Sequence, residues 1–278
     1  MKIIIDSNKL QTEQLRDFLA GSIKNYAVLP DFVAMEAYKG EPLKSIFKSM
    51  SILSSYPSQV IVLKGSRKIF GLSGRVKGLQ RRMIDEKQTA GFNFYVQALK
   101  LAQIGDVGLR CQINKLGVDA NAHLGSMLDD AEQIREAVKI FGSELTKAES
   151  ASLRAGEYTS VLIDKVVRAV LDIVNLIFLS SPLVAKVPVY SELSNTFIFR
   201  VTLACYLLGL RRFVQGGFDG LSSEKFRNDF VDMALVAYGT YFDGLMSADK
   251  NVNYMFGEIC SLLVGLFDAE VPALSRIK

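Results

Sequence analysis

Asp6 and Asp249 lie near opposite ends of the chain, yet each closes a short apolar run. Lys2-Ile3-Ile4-Ile5-Asp6 opens the sequence, and Phe242-Asp243-Gly244-Leu245-Met246-Ser247-Ala248-Asp249 stands close to its end. A buried strand that ends on an acid delivers a negative charge to the edge of a sheet. Two such strands side by side repel unless a cation sits between their carboxylates. Hard divalent ions such as Mg²⁺ or Mn²⁺ prefer carboxylate oxygen. Metal-dependent hydrolysis is therefore the first chemistry these residues suggest.

Further acids fall in fitting places. Glu36 closes Leu29-Pro30-Asp31-Phe32-Val33-Ala34-Met35-Glu36, where Phe32, Val33 and Met35 read as core positions. Asp229 and Asp232 are three residues apart, so on a helix they share a face. Each acid also has a plainer reading. Asp6 and Asp249 could cap helices, Glu36 could be an ordinary helix glutamate, and Asp31 suits the first turn of a helix. Asp243 reads as structural. His123 is the sole histidine and sits far from every motif, so it reads as a surface or packing residue.

These residues need elements to carry them. Residues 2–6, 26–29 and 59–63 read as short buried strands rich in β-branched residues. Between them, Leu10–Ala20, a segment from Pro30 to about Lys39, and Pro42–Ser54 read as helices. Thr12 stands near the first helix start, Gly21 stands past its end, and Pro30 suits a first turn. This β-α-β-α-α-β order implies a parallel sheet with helices on its faces. From about Ser73 to Phe218 the pattern is helical, with expected helices over 75–104, 106–118, 119–141, 143–154, 157–179 and 190–213. The β/α pattern resumes with a helix from Ser223 to Gly239, a strand over Tyr241–Met246 and a helix over Val252–Phe267. A last strand is expected near Val271–Ser275.

Asp6-Ser7-Asn8 after an apolar strand, Glu36 in the second helix, and the run Asn228-Asp229-Phe230-Val231-Asp232 leading to Ser247-Ala248-Asp249-Lys250 together resemble the PIN-domain nucleases. The resemblance covers about residues 1–64 and 223–278, less than half of the chain. It implies an α/β fold, a PIN-like parallel sheet flanked by helices, split by a large all-α insertion over 65–222. By position it implies an acidic quartet of Asp6, Glu36, Asp232 and Asp249 as catalytic and metal-binding residues, with Asp229 a further candidate ligand and Asn8 and Ser247 in support. The family often carries threonine where Ser247 stands, and serine keeps the hydroxyl. The implied activity is Mg²⁺- or Mn²⁺-dependent endonucleolytic cleavage, of RNA ahead of DNA. The toxins of this family would suggest an inhibitory protein partner, and a homo-oligomer is the other partner expectation.

Composition is consistent with this. The chain has 278 residues, 49% of them hydrophobic and 22% charged, enough to bury a sizeable core. Its formal net charge of +4 is uneven: Lys64–Lys87 holds eight basic residues against Asp85 and Glu86. A basic stretch of this kind suits a phosphodiester substrate, and Arg67, Lys68, Arg75, Lys77, Arg81 and Arg82 are its candidate contacts. The plainer reading is a solvated, glycine-rich surface. Cys111, Cys205 and Cys260 form neither a disulfide framework nor a metal signature. The first strand starts at Lys2 and leaves no room for a signal peptide, so a cytoplasmic location is expected. The apolar stretches 159–182 and 196–210 are interrupted by charges or too short, and read as buried helices rather than membrane spans.

Two other readings compete. A haloacid-dehalogenase-type phosphatase also starts with a strand ending in Asp, but needs a second Asp where Asn8 stands, and its late acid pair is missing at Asn253. A non-catalytic scaffold that binds a protein through its helical part is the other. A cluster of unused carboxylates would destabilise such a scaffold by repulsion and desolvation.

Overall fold

The computed structural model describes residues 1–122, 145–180, 187–216 and 223–275. His123 and most of the helix expected over 119–141 lie outside these residues.

Four short strands form one sheet in the order β3-β2-β1-β4: β1 (Lys2–Ile5), β2 (Tyr26–Leu29), β3 (Val60–Val62) and β4 (Leu245–Met246). All three pairings are parallel. Ile4, Ile5, Ala27, Val28 and Val60 are buried, as continuous apolar runs in a helix-covered parallel sheet should be. The chain runs β1, β2, β3 toward one edge and then returns to place β4 on the other side of β1. The direction of winding therefore reverses between β1 and β4. At such a reversal the segments leaving two adjacent strands diverge and open a crevice at their carboxyl ends.

Helix α1 (Glu13–Ala20) joins β1 to β2, and α2 (Asp31–Glu36) and α3 (Pro42–Ser49) join β2 to β3; the return begins with α4 (Ser66–Phe70), α5 (Leu79–Met83) and α6 (Glu86–Gln103). Then follow α7 (107–122), α8 (Lys147–Ala155), α9 (Ser160–Ser180), α10 (Tyr190–Leu193), α11 (Phe197–Gln215), α12 (Ser223–Gly239), α13 (Lys250–Phe267) and α14 (Pro272–Ser275). The mixed α/β class expected from the sequence is observed. The helical stretch between β3 and β4 shares one continuous hydrophobic core with the sheet. Its centre is α11, buried on almost every face, and α11 packs against both α9 and α12. No described helix is long and apolar enough to cross a membrane.

Several expected elements differ in detail. The strand expected at Val271–Ser275 is the helical turn α14. Val271 is buried, but its segment has no neighbouring strand edge to join. The strand expected over Tyr241–Met246 is only Leu245–Met246, because Tyr241 and Phe242 close the end of α12 through bonds to Tyr238 O and Gly239 O. The single helix expected over 75–104 is broken at Ile84–Asp85. There Ile84 bridges Leu63 antiparallel, Asp85 N donates to Val62 O, and the Asp85 carboxylate caps α6. The helix expected over 190–213 is divided before Thr196, whose hydroxyl accepts the Phe199 N–H and starts α11 afresh.

One buried cation ties the helical stretch to the sheet. Arg200 of α11 is 1% exposed. It donates to Ser194 O, Asn195 Oδ1, Thr240 O, Thr240 Oγ1 and Glu270 O at 2.9–3.2 Å. Its guanidinium carbon lies 4.0 Å from the centre of the Tyr241 ring. A single side chain thus joins the α10–α11 turn, the end of α12 and the segment after α13. Close approach does the rest: a Cβ at Gly239 would meet the Phe256 ring at 2.8 Å, so glycine lets α12 end against α13.

Candidate metal centre

Asp6 follows β1 directly, at the carboxyl end of the sheet and beside the crevice between β1 and β4. It is 4% exposed. Its carboxylate is held by Asn8 Nδ2 at 2.7 Å and Ser247 Oγ at 2.5 Å, both on Oδ2, while Ser7 Oγ lies 3.4 Å from Oδ1. Asn8 also reaches across the crevice: its Oδ1 accepts the Ala248 N–H at 2.9 Å. Ser247 Oγ accepts the Asp249 N–H at 3.0 Å. Asn8 and Ser247 thus both hold the Asp6 carboxylate.

Asp249 is the N-cap of α13. Its Oδ1 accepts the N–H groups of Asn251 and Val252 at 2.6 and 3.2 Å. The capping alternative is therefore real, and it leaves Oδ2 without a bond among the described residues. Asp232 sits on α12 and accepts no hydrogen bond from any described residue. Burial pushes its carboxyl up to about 8, with Asp6, Asp249, Glu36 and Asp229 adding to the shift. Glu36, at the end of α2, is also raised by burial; a hydrogen bond from Ser7 opposes this, Asp6 adds to it, and Lys39 and Arg227 offset part of it.

Asp229 lies one turn before Asp232. Its Oδ1 pairs with Arg212 Nη2 at 2.5 Å, while its Oδ2 is buried with no partner among the described residues. Burial raises its carboxyl despite the arginine, and Asp249 contributes to the rise. Four elements, β1, α2, α12 and α13, thus deliver acids into one shared electrostatic field. Their side chains are not drawn together into a ligand shell: among the described residues no three acids, histidines or cysteines are arranged so as to hold a metal ion.

All available donors are carboxylate oxygens, the chemistry that Mg²⁺ and Mn²⁺ favour. The Asp229 Oδ2 is a buried acceptor with nothing to accept among the described residues, the kind of atom a cation could satisfy. The residues fit a hard divalent ion in type and electrostatics.

Sequence reasoning missed three basic or polar neighbours. Arg212 pairs with Asp229, Arg227 stabilises the charge on Glu36, and Ser7 bonds both Asp6 and Glu36. Ser7 lies inside the Asp-Ser-Asn run and could have been found. Arg212 comes from α11, and no spacing rule links it to α12.

The basic segment stands apart. Lys64, Arg75, Lys77, Arg81 and Arg82 line a cavity of about 450 Å³ whose lining includes none of the acids of the centre. Arg67 and Lys68 are exposed on α4, outside that lining. Asp243 serves structure as expected, its Oδ2 accepting the Lys2 N–H at 2.6 Å. No family model, no curated protein and no solved structure matches this chain.

Proposed function

We propose that this protein is a Mg²⁺- or Mn²⁺-dependent nuclease of PIN-like architecture that cleaves phosphodiester bonds, in RNA ahead of DNA. The observation that supports the reading is electrostatic: burial raises the Asp232 carboxyl, and Asp6, Asp249, Glu36 and Asp229 each add to the rise. Carboxylates brought together at such cost call for a counter-charge. A parallel sheet with helices is compatible with the α/β class that the PIN resemblance implies.

Asp6, Asp232, Glu36 and Asp249 would hold the ion, with Asp229 Oδ2 beside them. A bound divalent ion supplies charge neutralisation for the phosphoryl oxygens and makes an attacking water acidic enough to act near neutral pH. Asn8 and Ser247 orient the Asp6 carboxylate and tie it to the start of α13. Ser7 and Arg227 stabilise the ionised form of Glu36.

The test compares wild type with Asp6→Asn and Asp249→Asn on labelled RNA and DNA in Mg²⁺, Mn²⁺ and EDTA. Asparagine retains shape and, at position 249, capping ability. Cleavage that needs the metal and is lost in both variants supports the reading; equal cleavage by all three proteins would refute it.

A second reading keeps the fold without the chemistry. It is favoured by the structural duties of Asp249 as a cap and of Asp229 as an ion-pair partner, and by the absence of a closed ligand shell among the described residues. On that reading Mn²⁺ leaves the melting temperature unchanged, whereas a metal centre raises it by mass action.

A further inference from the structure

The basic cavity divides its cations into two groups. Arg81 is committed to Glu86, with Nε to Oε1 at 3.1 Å. Lys64 Nζ donates to Arg82 O at 2.8 Å. Arg82 is folded inward: Nη1 donates to Ser73 Oγ at 2.8 Å and Nη2 to the Ser73 and Arg75 carbonyls, while Nε is buried with no partner. Its burial and the nearby Arg75 disfavour its charge, and Glu192 favours it. Arg75 and Lys77 are exposed and make no side-chain bond to any described residue. The acids of the lining are occupied, Glu86 by Arg81 and Asp85 by the start of α6. The cavity therefore presents two uncommitted cations and an unmatched guanidinium N–H, while the carboxylates of its own lining, Asp85 and Glu86, are bonded.

Its position is equally specific. Gly78, Arg81 and Ile84 also line an adjoining cavity of about 440 Å³ that includes Lys2, Tyr241 and Glu270. Lys64 follows the carboxyl end of β3 and Ile84 bridges Leu63, whereas Asp6 follows β1, two strands away in the sheet order. At about 4.8 Å per strand spacing those strand ends stand roughly 10 Å apart. The lining of the basic cavity includes none of the acids of the centre, so the cavity is a separate site.

We propose that this cavity is a phosphate-binding site distinct from the carboxylate centre, with Arg75 and Lys77 as its anion contacts and Arg82 as its floor. The ligand group is a pair of linked phosphates that together carry at least two negative charges within reach of both side chains. Either successive phosphates of a single strand or the polyphosphate of a free nucleotide supply it. The nuclease reading favours the strand, and the proposal rests on that reading for this preference alone. Arg82, already bonded to Ser73 and Arg75 O, holds the Ser73–Arg75 turn in place and so positions Arg75.

The experiment measures binding, not cleavage. Fluorescence anisotropy with a labelled single-stranded RNA on the order of 12 nucleotides is followed in EDTA across a salt series. The proteins are wild type, Arg75→Ala/Lys77→Ala and the charge-matched control Lys100→Ala/Lys115→Ala, whose lysines are exposed and outside the cavity. Loss of two phosphate contacts should weaken binding about tenfold and flatten the log–log salt slope by roughly 1.4, while the control stays near wild type. Unlabelled ATP as competitor separates the two sources. Displacement at low concentration identifies a compact polyphosphate; no displacement identifies the strand. Wild-type affinity and slope in Arg75→Ala/Lys77→Ala, an equal loss in the control, or no binding by wild type would each overturn the site. Because EDTA is present throughout, a failed nuclease assay leaves this result intact, and the reverse also holds.

Discussion

Ser247 Oγ donates to Asp6 Oδ2 at 2.5 Å and in the same position accepts the Asp249 N–H at 3.0 Å. One hydroxyl thus joins the carboxylate that ends β1 to the backbone that begins α13. Both ends of the sequence depend on it to bring their acids into register. Ser247→Ala removes both bonds and leaves a buried carboxylate oxygen short of a donor. The expected cost is about 1–2 kcal/mol of stability in EDTA, with Mn²⁺ affinity reduced roughly 10- to 100-fold, the range for groups that orient metal ligands. Ser247→Thr should retain both properties. Denaturant melts and Mn²⁺ titrations of the two variants check this, and equal affinity in Ser247→Ala and wild type would contradict it.

The raised Asp232 carboxyl sets a pH dependence with a definite sign. In the folded, metal-free protein it holds its proton up to about 8, against 3.8 in its ordinary state. Between these values the native state binds more protons than the unfolded chain, so stability falls as pH rises through that window. Glu36 and Asp229 are raised too and act in the same sense. The melting temperature in EDTA should decline across this range, and Asp232→Asn should flatten the decline. Saturating Mn²⁺ should remove it, because the ion selects the ionised carboxylates. A metal-free profile that Asp232→Asn leaves unaltered would contradict the assignment.

Arg212 and Asp229 form a largely buried pair, their side chains 19% and 13% exposed. Arg212→Ala strands the Asp229 charge, and removing one member of such a pair costs roughly 3 kcal/mol. The cost should shrink when Mn²⁺ is added, since a cation beside Asp229 Oδ2 replaces part of the lost charge. Thermal shifts for wild type and Arg212→Ala, with and without Mn²⁺, give the comparison. A smaller Mn²⁺ shift in the variant than in wild type would place Asp229 outside the metal's reach.

Arg200 is the costliest single side chain to lose. Arg200→Ala leaves carbonyl and hydroxyl acceptors from three separate segments unmatched and opens a cavity beneath Tyr241. A loss of at least about 3 kcal/mol is expected from denaturant unfolding. Arg200→Lys should recover only part of it, because an ammonium cannot span acceptors fixed by a planar fork. Full stability in the lysine variant would show that charge rather than geometry holds this junction.

Local signals made the sheet and its acids readable in the sequence. Unbroken Ile and Val runs named three strands to within a residue or two, and Pro30 and Gly21 marked helix limits that the structure respects. Asp6 and Asp249 stand out in the sequence because each sits at an element boundary, and boundaries leave local marks in residue type; Glu36 and Asp232 rest on the resemblance, Asp232 lying within α12. Local order does not encode what happens across space. The segment after Val271 looks strand-like, yet no sheet edge receives it, so it turns as α14. The helix pattern through Ile84 is broken because Leu63 and Val62 offer it backbone partners. The sequence by itself determined which acids end up at the carboxyl edge, since strand direction and element order follow from local pattern. Only the tertiary structure decided that Arg212 pairs with Asp229, that Arg200 ties α11 to the end of α12 and the segment after α13, and that the basic cavity shares no lining residue with the acids. Those outcomes depend on how α11 crosses α12, a packing relationship between residues distant in the chain that no local spacing encodes.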